Sequence, residues 1–246
     1  MKTRTVVCLR MVRRLPYDQQ RDKSGGVFMK KVITAVMVFG IIAFSLPLCA
    51  ETIVFNYNFE FSGAVSPAGT SPWLTATFED FGSEGKVQLT FKASGLVGTE
   101  YVGESSFNLN PLLDPTMLKI EAMSGVTVVA QTGLNAFKAD GDGYFDILFN
   151  YPQAPEAIRF NAGDEAVYLI ALDGVDLSPQ DFKFGSENSS KSYYVAAHVQ
   201  SIGTGGEGSG WVTGDPSTSV LVPEPGTMIL LGLGLLGLGI TSRKRS

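Results

Sequence analysis

The chain has 246 residues, with 19 Lys/Arg against 24 Asp/Glu, a net charge of −5 and two cysteines. The charge is segregated: residues 1–50 hold nine basic residues and two acids, whereas residues 51–222 hold seven basic residues and 21 acids, a balance of −14. So acidic a body has no Lys/Arg patch to neutralise phosphates, which excludes nucleic acid as a partner. With Cys8 and Cys49 both outside it, the body also has no disulfide, cysteine nucleophile or cysteine-rich metal site.

Residues 29–50, MKKVITAVMVFGIIAFSLPLCA, have the three parts of a signal peptide. Lys30 and Lys31 form the positive start, Val32 to Phe44 the apolar run, and Pro47 breaks the helix before a cleavage site between Ala50 and Glu51. The 13-residue apolar run is short for a bilayer span. Leu48 is bulkier than lipoprotein processing at Cys49 normally accepts. Translation is expected to begin at Met29, which makes residues 1–28 a start-site extension.

From residue 51 to 215 the pattern is that of strands. Apolar alternation recurs in TIVFNYNFEF (52–61), WLTATFED (73–80), KVQLTFKAS (86–94), VTVVAQ (126–131), YFDILFNY (144–151), EAVYLIAL (165–172), FKFGS (182–186) and YYVAAHVQ (193–200). In KVQLTFKAS, Val87, Leu89, Phe91 and Ala93 share one face, the two-residue period of a half-buried strand. LSPQDFKF (177–184) holds at most one helical turn. Many short strands punctuated by Gly, Pro, Asn and Asp predict an all-β domain, an antiparallel β-sandwich or jelly roll, over residues 51–215. Residues 216–222 read as a linker.

Within that body, Asp140, Asp142 and Asp146 of DGDGYFD nominate a calcium site, because calcium takes several hard oxygens and a glycine turn presents alternate carboxylates. Tyr144 stands where an EF-hand needs another oxygen ligand, and Asp-Gly equally fits a hairpin turn. GTGGEGSGWVTG (203–214) lacks the Lys-Ser/Thr ending of a phosphate loop and reads as a surface loop from which Trp211 returns to the sheet. His198 is the only histidine, and no G-x-S-x-G elbow accompanies it. Trp73, Trp211 and the tyrosines are either core or a sugar-stacking platform. Asn188-Ser189-Ser190 is a glycosylation sequon.

The last 25 residues are the most specific. Pro223-Glu224-Pro225 forms a rigid extended approach, the uncharged run 227–241 follows, and Arg243-Lys244-Arg245 closes it. As a helix, 15 residues reach about 22 Å at ~1.5 Å each, short of the ~30 Å hydrocarbon core. The cations hold the end cytoplasmic and leave the body outside. This three-part pattern over residues 223–246 resembles the PEP-CTERM sorting signal of Gram-negative bacteria. The resemblance implies processing by a membrane-embedded exosortase in a setting of extracellular polysaccharide and biofilm. SPWLTATFED, ADGDGYFDI and HVQSIGTGGEGSGWVTG are also similar to the all-β bodies found ahead of such tails. The expected protein is an acidic, non-enzymatic surface or extracellular-matrix protein, held transiently in the inner membrane by the transmembrane helix 227–241. Its expected partners are the exosortase and extracellular polysaccharide. A calcium-assisted carbohydrate-binding module, and a secreted glycosidase or esterase, are the alternatives.

Overall fold

The computed structural model describes residues 50–82, 85–187 and 191–221, all within one compact unit. Alternation becomes burial at once. In β4 (Lys86–Lys92), Val87, Leu89 and Phe91 are buried while the residues between them keep solvent contact. The same period buries Ile53, Phe55 and Tyr57 of β1 (Ala50–Tyr57), and Leu74, Ala76 and Phe78 of β3 (Leu74–Phe81). It also buries Ala166, Tyr168 and Ile170 of β10 (Glu165–Leu172). With β6 (Leu118–Gly125) and β13 (Pro216–Leu221) these strands make one sheet, in the order β13-β1-β3-β4-β10-β6, every pair antiparallel.

The second sheet runs β2-β12-β11-β5-β8-β7. Its strands are β2 (Phe59–Glu60), β5 (Tyr101–Phe107), β7 (Gln131–Ala139), β8 (Asp142–Asn150), β11 (Val195–Ile202) and β12 (Gly208–Thr213). The short β9 (Phe160–Asn161) pairs with β5. The sheets face each other through an aromatic core: Phe107 meets Phe78 edge-on at 5.4 Å and Phe91 at 6.2 Å, and Phe149 lies 4.5 Å from Tyr168. Each such buried ring contributes about 1.5–3 kcal/mol of transfer free energy. A second cluster, Ala139, Phe145, Tyr193 and Ala196, with Phe61, Phe137 and Trp211 packed against it, covers part of the second sheet's other face. That sheet is therefore apolar on both sides, and β5 in its middle is buried almost throughout.

Over the described residues the all-β expectation holds, with almost no helix, and two antiparallel sheets pack as a sandwich. Three local expectations fail. VTVVAQ is no strand: Val126 N donates to Glu165 O at 2.9 Å and the Tyr168 hydroxyl accepts from Val128 N at 3.0 Å. These bonds pull 126–130 into an irregular connection whose Val126, Val128 and Ala130 pack on the core margin. FKFGS is not a strand either; Pro179–Phe182 is a 3-10 turn with a Ser178/Asp181 capping box, as the single turn expected over 177–184 anticipated. Residues 216–221, read as linker, form the edge strand β13, paired with β1 from Phe55↔Pro216 to Ala50↔Leu221.

Among the described residues no helix is long and apolar enough to cross a membrane. The extension 1–28, the signal peptide 29–50 apart from Ala50, the sequon at Asn188, and the tail 223–246 with its helix 227–241 lie outside the described residues.

Candidate functional site

The acidic turn is a hairpin. Asp140 (φ 51°) and Gly141 (φ 76°) join β7 to β8 as two left-handed residues, with Ala139 facing Asp142 across the ladder. This is the arrangement of a type I′ turn, which Asp-Gly favours. Asp146 is separate from it. Between Thr132↔Ile147 and Phe137↔Phe145, the four β7 residues 133–136 stand against Asp146 alone. The buried carboxylate closes that bulge by accepting from Leu109 N at 3.1 Å and Asn135 N at 2.8 Å, Asn135 being held at φ 50°. Asp140 and Asp142 thus stand exposed at the turn while Asp146 is engaged inside the sheet. Among the described residues no three His, Cys, Asp or Glu are grouped to hold a metal ion.

His198 lies in a transverse row on the second sheet. Its cross-strand partners are Trp211 on β12 and Glu104 on β5, and Glu104 in turn faces Asn150 on β8. The imidazole stacks on the indole at 4.8 Å and 11°. Along β11 the Tyr101 hydroxyl donates to Gln200 Oε1 at 2.7 Å, and the Gln200 amide nitrogen faces His198 Nδ1 at 3.3 Å. The amide N–H donates to Nδ1 when the neutral imidazole carries its proton on Nε2. Burial lowers the His198 pKa, against an opposing pull from Asp140, and burial raises that of the Glu104 carboxyl. The Arg159 guanidinium caps the Tyr101 ring at 4.3 Å. A Ser-His-Asp triad needs a carboxylate on Nδ1; here an amide occupies it.

Trp73 is core, its indole N–H donating to Gly69 O at 3.0 Å. Trp211 is half-buried, with one ring face already taken by His198. The tyrosines 57, 151 and 168 are core too; burial pushes the phenols of Tyr57 and Tyr151 up. The glycine-rich stretch 203–214 is only partly loop, since 208–213 forms β12 against β11. Glu100 was not singled out in the sequence. It is almost fully buried and ties two loops together by accepting from Ala68 N at 2.7 Å and Val97 N at 2.9 Å. Beside it opens a recess of about 340 Å³ rimmed by Thr99, Ser201 and Thr204.

Where the described chain stops, the informative segment starts. Residues 221–245 match a family model described as the PEP-CTERM protein-sorting motif, so the match begins on the last residue of β13. Neither the curated proteins nor the solved structures return a match.

Proposed function

From a chain that carries a PEP-CTERM protein-sorting motif, and is by that motif an exported substrate of an exosortase, we propose a non-enzymatic surface or extracellular-matrix protein, associated with biofilm. In this reading the signal peptide starts export, with cleavage after Ala50. The apolar run 227–241 then holds the chain in the inner membrane with Arg243, Lys244 and Arg245 on the cytoplasmic side. The exosortase acts at Pro223-Glu224-Pro225. The observation that carries the proposal is the motif itself.

Three of the body's candidate reactive groups are structurally engaged, which favours the non-enzymatic half. Asp146 and Glu100 bind backbone amides, and His198 is held between an amide and an indole. The body's acidity favours solubility and mutual repulsion outside the cell. A calcium-assisted sugar-binding reading has less to stand on, because Trp73 is buried, Trp211 has one face covered and Asp146 is engaged elsewhere. Polysaccharide contact remains part of the proposal for the mature protein.

The test compares cells with and without the exosortase gene. Mass spectrometry of the protein's C-terminus should show the tail removed in the first and kept in the second, and fractionation should find the cut form outside the inner membrane. A tail kept in both strains overturns the routing half. Turnover of glycoside or ester substrates by the purified body overturns the non-enzymatic half.

A further inference from the structure

We infer that β13 must peel away from β1 before the sorting tail can be cut, so that the edge pair of the first sheet is a latch on processing; this rests on the exosortase reading above. Among the described residues β13 has a single neighbour, and its described register reaches Leu221, where the motif begins, facing Ala50. Pro223 is two residues further on, so at most about 7 Å of chain separates the ladder from the P-E-P triplet.

An enzyme that cleaves a backbone grips an extended segment on both sides of the bond, commonly by pairing with its amides. On the body side of the triplet Val222 alone separates it in sequence from the described ladder. The residues before it, up to Leu221, are in register with Ala50–Phe55. A cleft that encloses this backbone along both edges cannot admit it while one edge is paired with β1.

The break falls between β13 and β1 because the two strands are held so differently. β1 is paired with β3 on its other side and sets Ile53, Phe55 and Tyr57 into the core. At the far end of β13, Pro216 is half-exposed and lacks an N–H, and Ser217 is exposed and donates from its hydroxyl to Val54 O at 3.2 Å. Tension on the tail loads the Ala50–Leu221 pair first and opens the ladder pair by pair.

The body is free of thiols, so a cysteine pair placed across the ladder would be its only one. Thr52 and Ser219 are Cα partners near the tail end of the ladder, and cross-strand partners lie within disulfide range. The experiment uses the full chain with Cys8→Ser and Cys49→Ser, in membranes that contain the exosortase, and reads cut and uncut forms by mass. T52C/S219C should stay uncut while oxidised and be cut after reduction, with T52C and S219C alone cut like the unaltered chain. A flexible Gly-Ser insert of about 12 residues after Leu221, with a reach of roughly 20 Å, should restore cutting of the oxidised chain. Cutting of the oxidised chain at the unaltered rate overturns the latch. So does an oxidised chain that stays uncut despite the insert. An unaltered chain that is never cut overturns the processing reading and the latch with it.

Discussion

Replacing Asp146 with alanine tests whether this carboxylate is a structural fastener or a metal ligand. Two backbone donors depend on it, Leu109 N in a buried setting and Asn135 N in a partly buried one. Hydrogen bonds to a charged group contribute about 1.5–3 kcal/mol each, and an abandoned buried donor costs about 1–3 kcal/mol. Discounting the partly solvated Asn135, D146A should cost about 2–4 kcal/mol, a large share of the ~5–15 kcal/mol that folded domains possess. At a urea slope of about 2 kcal/mol per M, the unfolding midpoint should fall by about 1–2 M. D146N keeps one acceptor and turns an NH₂ toward the other amide, so its midpoint should fall between the two. A D146A midpoint within about 0.3 M of the unaltered protein's would refute the fastener account. So would a calcium-induced rise in stability that the unaltered protein shows and D146A lacks, which would restore Asp146 as a ligand.

Phe78 is fully buried, stacked on Phe182 at 4.6 Å and edge-on to Phe107 and Phe55. F78A should cost about 3–5 kcal/mol in the same urea assay, with loss of near-ultraviolet circular dichroism. At Gly141 nothing lies within 4 Å of an added Cβ, so the cost of G141A is the left-handed backbone alone. It should be about 1–2 kcal/mol by thermal melting and equal with or without calcium. Burial lowers the His198 pKa from 6.5, so the folded state prefers the neutral ring. Its contribution is present above pH 6.5 and is lost as the pH falls through the lowered value. The imidazole resonances should titrate with a midpoint below 6.5, and H198Q should flatten that limb of the stability–pH curve.

Strands buried on one face were legible because alternation is what one-sided burial looks like in sequence. KVQLTFKAS and EAVYLIAL match β4 and β10 closely for that reason. YVGESSF (β5) carries no such alternation, since it packs on both sides and places Gly103, Ser105 and Ser106 where a one-sided strand would alternate. GSGWVT (β12) reads as loop because its glycines mask a strand. At 210 the reason is steric: a Cβ there would lie 2.3 Å from Val65 O. VTVVAQ failed in the other direction, with β-branched residues drawn out of the ladder by the Tyr168 hydroxyl. For the candidate residues, Asp-Gly announced its hairpin. The bonds from Asn135 N and Leu109 N that engage Asp146 span 11 and 37 residues, and the stacking of His198 on Trp211 also depends on a cross-strand register. No local pattern encodes those. The tail was legible because its signal is carried by consecutive residues.

Ala50 and Leu221 are partners across an antiparallel ladder, which places their Cα atoms about 5 Å apart. A domain whose ends nearly touch behaves as a cassette. Residues 50–221 should graft into a surface loop of an unrelated host with little distortion of either protein, and a short tether from 221 to 50 should permit new ends to be opened at an exposed turn such as Asp140-Gly141.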